Sequence, residues 1–269
     1  MCDLWKQTTT GDTPPGAIPR QLAAARSVIA DAVPPVTQIK LYNAGSFFDP
    51  RAVPESDYDE IAHLLNGLER VIVESHPALI GPRVDRFLAS LDRHAPAISL
   101  EVAAGLETAH PEALRRLNKR MTVDDFAAAA ERLHERAVAL RVFLLIAAPF
   151  VEPAEQDLWL AQSVDVAASC GATAISLIPT RAGNGAMERL ASEGLFAAPS
   201  LSAIEHGFDA AQVHVAGRAR VFVDLWELDT FSSCVHCFDE RRARLHTMNL
   251  EQRVLPRVVC DRCEAAAQA

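Results

Sequence analysis

Between Ile98 and Val151 the chain reads strand, helix, strand, and this unit limits the fold more than any other stretch. Ile98 to Val102 is rich in β-formers and runs into Gly105. Leu140 to Ile146 is a near-continuous apolar run, the pattern of a strand buried on both faces. The segment between them carries its own helix signals. Thr122 stands as N-cap with Asp125 three residues on, and Val123, Phe126, Ala127, Ala130 and Leu133 recur at helical spacing. Two strands joined by such a crossover are parallel, and parallel strands carry their ligand sites at their C-terminal ends. Glu101 is read as the carboxylate at that end and Glu107 as one in the following loop. For Glu107 the plain alternative is a solvated loop carboxylate.

The same alternation runs along most of the chain. Arg20 to Ala32 reads as helix, Val36 to Tyr42 as strand, and Asn43-Ala44-Gly45-Ser46 as a small-residue turn. Glu55 to Leu68 is helical, Val71 to Glu74 is a strand ending in a carboxylate, and Pro82 opens a helix that runs to His94. Beyond the central unit come a helix from Pro153 to Cys170 and a strand from Thr173 to Ile178. This is the signature of an α/β protein with a parallel sheet or barrel. Five strands precede Pro179, which suits a partial barrel lacking its first strand. After Ala182 the alternation gives way to helices at Ala186 to Glu193 and Ser200 to Val213, then a strand-like run from Ala219 to Leu225. A chain of 269 residues can bury a full core. The expected division is a barrel core over residues 1–182 and a C-terminal extension over 183–269.

Charge and cysteines narrow the function. A net charge of −9 and a pI near 5.5 argue against a main surface that grips nucleic-acid phosphates. No apolar run approaches the roughly 18 residues of a membrane span, and the N-terminus has no charged-then-apolar signal pattern, so a soluble, cytoplasmic protein without a membrane partner is expected. Four of the six cysteines form two Cys-x-x-Cys pairs, Cys234 with Cys237 and Cys260 with Cys263, separated by 22 residues. Four thiolates at that spacing can converge on one tetrahedral ion, with a helix or hairpin returning the chain between them. Zinc is the first reading, and an iron–sulfur cluster stays open. His236 is a bystander or a substitute ligand. Cys170 reads as a packed helix end. Arg241, Arg242, Arg244 and His246 make a basic segment, either a solvated helix face or a contact to the phosphates of RNA or a nucleotide.

Taken in order, LYNAGSFFDP, VIVESHP, LEVAAGLETAHPEALRRLNKRMTVDDF and LLIAAPF resemble the core of radical S-adenosylmethionine (radical SAM) proteins. They most resemble the elongator-like branch that includes the radical subunit of archaeosine synthase. The resemblance runs from Cys2 to about Pro179. It implies a TIM-like partial (β/α)6 barrel in which a Cys-x3-Cys-x2-Cys loop holds a [4Fe-4S] cluster. One iron of that cluster is open to chelate S-adenosylmethionine, and reductive cleavage yields a 5′-deoxyadenosyl radical. By position, Cys2 matches the third cluster cysteine. Asn43, Ala44, Gly45 and Ser46 match the turn that receives the methionyl amino group. Glu101 matches the residue that meets the ribose, Lys119 is a weaker match for the methionyl carboxylate, and Ala147 to Pro149 match the strand end near the adenine. Glu74 matches a strand-end carboxylate of unassigned role. An electron donor such as flavodoxin or ferredoxin, and tRNA or a modified nucleoside as substrate, are implied by the same kinship.

The pattern is incomplete at its start. Two cluster cysteines and a strand are expected upstream of Cys2, with Met1 an internal methionine of a longer reading frame, and one thiolate should not hold the cluster by itself. The strand from Val36 to Tyr42 should then present a raw edge. Two rival readings stand beside the radical one: a catalytically silent, metal-stapled scaffold, and a barrel lyase or hydrolase using Glu101 and Glu107 as acid and base.

Overall fold

The alternation of strands and helices is borne out in the computed structural model, which describes residues 11–43 and 45–263. In chain order the elements are α1 (Ala17–Val28), β1 (Gln38–Leu41), α2 (Tyr58–Leu64), β2 (Arg70–Glu74), α3 (Pro82–His94), β3 (Ser99–Glu107) and α4 (Pro111–Arg116). They continue with α5 (Val123–His134), β4 (Ala139–Ile146), α6 (Gln156–Ser169), β5 (Ala172–Pro179), α7 (Ala186–Ser192), α8 (Leu201–Val215), β6 (Arg220–Val223) and α9 (Phe238–Glu251). The strands form a six-stranded sheet in the order β1-β2-β3-β4-β5-β6. The pairs β1–β2, β2–β3 and β5–β6 are parallel. No helix among the described residues is long and apolar enough to cross a membrane.

Two differences from the sequence reading matter. β3 does not stop near Gly105 but continues to Glu107, because Ala103, Ala104 and Leu106 are buried and extend the apolar run past the glycine. The run after α8 is a true strand, β6, paired with β5 from Ala174 opposite Arg220 to Leu177 opposite Val223. The five strands expected up to Pro179 are thus β1 to β5, and the strand-like run after α8 supplies a sixth to the same sheet.

The chain divides into two compact units. Among the described residues, one comprises the chain from Gly11 to Gly105 together with Val123–Arg141. Its core is aromatic: Phe47 stacks on Tyr58 at 5.8 Å between ring centroids and tilts against Phe87 at 4.8 Å, and Tyr58 meets Phe87 edge-on at 5.2 Å. α3 starts on Pro82, whose missing N–H is no loss at a first helical position, and buries Val84, Phe87 and Leu91 on one face. α5 buries Phe126, Ala129, Ala130 and Leu133, close to the face read from its spacing.

The second unit comprises Leu106–Thr122 and the described chain from Val142 to Cys263. Here α6 and α8 pack together, and α8 and α9 both pack on β6. Ser200 caps α8 by accepting from the Ala203 N–H at 3.1 Å. The outer edge of β6 is closed by carboxamides. Gln252 accepts from the Val221 N–H at 2.8 Å and donates to the Val221 carbonyl at 2.9 Å. Asn249 accepts from the Val223 N–H at 2.8 Å and donates back to its carbonyl at 2.8 Å. Two side chains thus do the work of a further strand and satisfy an edge that would otherwise be open to another chain. Replacing Asn249 by Ala leaves the Val223 peptide unpaired, at a cost of about 1–3 kcal/mol. Denaturant unfolding should show that loss, and hydrogen exchange should show faster exchange at the Val223 amide.

Candidate functional site

The loop after β1 is pinned by its neighbours. Phe47 and Phe48 are buried in the aromatic core, and the Phe47 N–H donates to the Glu74 carbonyl at 2.7 Å. Just before them, the Gly45 N–H donates to Asn43 Oδ1 at 2.9 Å, and Ser46 Oγ accepts from the His76 N–H at 2.8 Å. Asn43, Gly45, Ser46 and Glu74 therefore gather at the C-terminal ends of β1 and β2. Ala44 and Cys2 lie outside the described residues. Tyr42 in the same loop has its phenol pushed up to about 12 by burial, with the Glu74 and Glu101 carboxylates adding to the shift and Arg141 opposing it.

Glu101 is not at the C-terminal end of its strand. It is the third residue of the longer β3, opposite Ile72 in the middle of β2, one row below Glu74 and Ala103. It is fully buried. Its Oε1 accepts from Arg141 Nε at 2.6 Å, and its Oε2 accepts from Arg70 Nη1 at 3.1 Å. An ionised carboxylate with no solvent contact persists only with such partners.

The carboxylate that ends β3 is Glu107. It adopts φ +68°, and the Thr108 N–H donates across it to the Leu106 carbonyl at 2.9 Å, the pattern of a strained three-residue turn. Its Oε1 accepts from Lys119 Nζ at 2.9 Å, with both side chains partly exposed. Lys119 itself lies between two left-handed residues, Asn118 and Arg120, so its backbone direction is set tightly. The following turn is held by the Ala109 N–H donating to Ser163 Oγ at 2.8 Å and by His110, which caps α4. At the end of β4, Ala147 is also left-handed, at φ +58°, and Gln156 fastens the loop by donating to the Ala148 and Val151 carbonyls. Pro149 is in that loop, and Arg116 lies over the neighbouring Phe150 ring at 4.1 Å. Left-handed conformations at non-glycine residues cost energy and recur where a site needs a fixed turn.

The four paired cysteines do converge. The sulfurs of Cys234, Cys237, Cys260 and Cys263 all lie within 4.8 Å of one another, and Cys237 Sγ is 3.6 Å from Cys263 Sγ. Cys237 is the N-cap of α9, so a helix is what returns the chain between the pairs. Backbone N–H groups of Cys237 and His236 point at the Cys234 sulfur and lower its pKa to about 6. Burial raises that of Cys237, and the neighbouring thiols, Cys237 first, push Cys263 up to about 12. An all-sulfur set of this size can hold a metal ion. The His236 side chain is exposed and is not part of the group.

The basic segment does not present all of its charges on one outer face. Arg241 and Arg244 are one helical turn apart and turn inward with Leu245 and Met248. Arg241 donates to Glu205 Oε2 through Nε at 3.0 Å and Nη2 at 2.6 Å, and to Ser202 Oγ at 2.9 Å. Arg244 donates to Asp209 Oδ1 at 2.7 Å and to the Pro256 carbonyl at 2.9 Å. Arg242 and His246 alone of the four face outward. Arg241 also donates to Cys237, which favours its thiolate and links the cysteine group to α8. Glu205, on which this link depends, was not singled out in the sequence; the available signal is an acid placed between Ile204 and Phe208 on the apolar face of α8.

Two outcomes test this geometry. Glu101→Gln leaves two arginines around a neutral group and should destabilise the protein by about 3–5 kcal/mol in urea unfolding. Metal binding must displace protons held on Cys237 and Cys263, so metal retention against a chelator should weaken as pH falls, with protons released on loading at neutral pH.

No family model matches the chain. It is 28% identical over 175 residues to archaeosine synthase subunit beta of Methanosarcina acetivorans, covering 63% of this chain and 49% of that protein. It is 29% identical over 114 residues to the subunit of the same name from Thermococcus kodakarensis, covering 40% of this chain and 34% of that one. The chain thus spans half or less of the length of these curated relatives. Among solved structures, Elp3 of the archaeon Methanocaldococcus infernus, with an N-terminal deletion, covers 94% of this chain and 64% of its own at a TM-score of 0.59 and 15% identity. A radical SAM methyltransferase from Sphaerobacter thermophilus covers 81% of this chain and 60% of its own at a TM-score of 0.52 and 17% identity. The fold is an α/β partial barrel like those of Elp3 and the radical SAM methyltransferase, with a cysteine cluster near the C-terminal end of the described residues, and over part of its length the chain is similar in sequence to archaeosine synthase subunit beta.

Proposed function

We propose that this chain is the barrel part of a radical SAM enzyme acting on a nucleoside in RNA, with a closed structural zinc site at its C-terminal cysteines. The observation that carries the first part is the parallel sheet with polar residues at its strand ends, in a fold shared with Elp3 over nearly the whole chain. The nucleoside comes from kinship with archaeosine synthase subunit beta. When bound, the iron–sulfur cluster supplies reductive cleavage of S-adenosylmethionine to a 5′-deoxyadenosyl radical. Among the described residues no strand ends in a cysteine, so the three thiolates such a cluster needs are not found there. The roles given to this chain's own residues concern binding alone.

Of the residues matched by the resemblance, Asn43, Gly45 and Ser46 are assigned to the methionyl amino group, Lys119 to the carboxylate, and Ala147 and Pro149 to the adenine. The ribose contact passes from Glu101 to Glu107. Glu101 is enclosed with both oxygens on arginines, whereas Glu107 ends its strand and stays partly exposed.

Zinc suits the sulfur geometry. Four sulfurs at about 2.3 Å from one ion stand about 3.8 Å apart at the corners of a tetrahedron, close to the 3.6 Å between Cys237 and Cys263. A cluster with iron at four corners spreads its thiolates more widely. Arg241 beside Cys237 offsets part of the charge that four thiolates keep after binding a divalent ion.

The first test is anaerobic reconstitution of the native protein with iron and sulfide, followed by 5′-deoxyadenosine formation from S-adenosylmethionine. Product is expected, and Glu107→Ala should weaken cofactor binding about ten-fold, the loss of one hydrogen bond to a charged group. A loaded cluster that yields no product would reject the reading. For the tail, metal analysis should return zinc, and Cys234→Ser should release it and lower the melting temperature.

A further inference from the structure

At the C-terminal ends of β5 and β6 the chain builds a group of side chains that cofactor binding does not use. β5 ends at Pro179, and the Thr180 N–H donates to the Ile146 carbonyl at 3.0 Å. The next residue, Arg181, reaches across to the loop after β6. Its guanidinium pairs with Asp224 at 2.9 Å and donates to the carbonyls of Pro179 and Trp226. It lies 5.3 Å from the centroid of the Trp226 ring and 5.5 Å from that of Phe231. Asp224 also accepts from the Trp226 N–H at 3.1 Å, and its own N–H donates to the Leu177 carbonyl at 2.9 Å. Backbone and ring of Trp226 are thus held by one cation and one carboxylate, both anchored to strand ends.

Even so, Trp226 is 66% exposed. A large aromatic held in place and left in water is an unusual use of a tryptophan, and it fits a recognition surface. Beside it, Thr180 Oγ1 and Arg181 Nε are buried with no hydrogen-bond partner, a deficit that folded proteins seldom leave without a reason.

We propose that Trp226 is a stacking platform for a nucleobase of the RNA substrate, with Arg181 and Asp224 as the positioning residues that hold it. This rests on the nucleoside reading above and adds where a base is met. Charge decides between a base and a phosphate as the group recognised. Asp224 neutralises Arg181, Glu205 and Asp209 occupy Arg241 and Arg244, and the chain carries a net charge of −9. With Arg181 so paired, recognition at this ring does not depend on counterion release from phosphates. Stacking of a base on an exposed ring needs no net positive charge and is tolerant of sequence.

The test is fluorescence anisotropy with a labelled, unstructured oligoribonucleotide, using the protein as isolated, in parallel with a sugar–phosphate chain of equal length without bases. Trp226→Ala should weaken binding of the oligonucleotide about 5- to 150-fold, while Trp226→Phe keeps most of it. The chain without bases should bind the native protein no better than it binds the alanine variant, and the salt dependence should be shallow. Trp226 lies outside the core, and the phenylalanine variant tests stacking even if the alanine variant folds poorly. Three results would overturn the proposal: equal binding by native and alanine proteins, no binding by the native protein, or full competition by S-adenosylmethionine, which would give the platform to the cofactor's adenine. The measurement needs neither iron nor cofactor. A radical reaction that succeeds while Trp226→Ala binds normally rejects the platform alone, and a reaction that fails leaves the binding result standing.

Discussion

Because β1 pairs with β2, β2 with β3 and β5 with β6 in parallel, each connection must cross back over the sheet, and the chain supplies helices for these crossings. In parallel sheets the loops after strand C-terminal ends are where ligand sites gather. These loops are not loose. The loop after β1 is tied by Phe47 and Phe48, the loop after β4 by Gln156, and the turn after β3 by the hydrogen bond that closes around Glu107.

Edges and buried charges are handled by the C-terminal segment. α9 carries three kinds of group on one helix: a cysteine at its first turn, arginines on its inner face, and carboxamides near its end. The carboxamides complete the hydrogen bonding of β6, and the arginines join α8 through Glu205 and Asp209. Buried ion pairs of this kind add little net stability over apolar packing, but losing one partner is costly because the other charge stays buried. They fix where the cysteine group sits relative to α8 and β6. A metal bound there would hold the start of the helix whose end covers the strand.

Much of the fold was legible from local pattern. The strand, helix, strand unit, the proline at the start of α3 and the two Cys-x-x-Cys pairs all appear in the structure close to where spacing put them, with strand and helix ends shifted by a few residues. The site was legible unevenly. Asn43, Gly45, Ser46, Glu74, Glu107, Ala147 and Pro149 do stand at strand ends. Glu101 does not, because a glycine was taken to end β3 where buried alanines and a leucine carried the strand on. The basic segment was misread for a related reason: a run of arginines looks solvated in sequence, and helical periodicity turned two of them toward acids on α8.

What the sequence by itself determined was the alternation of elements, their parallel sense and the convergence of four thiols, since these follow from periodicity, caps and short spacings within one segment. What the tertiary structure alone decided was the use of each charged side chain. Whether an arginine meets a phosphate, a buried glutamate or a tryptophan ring depends on partners distant in the chain, as Glu205 is from Arg241 and Trp226 from Arg181. No local pattern records those partners, because the strength of a charge interaction is set by distance and by exclusion of water, and both arise only when the chain has folded.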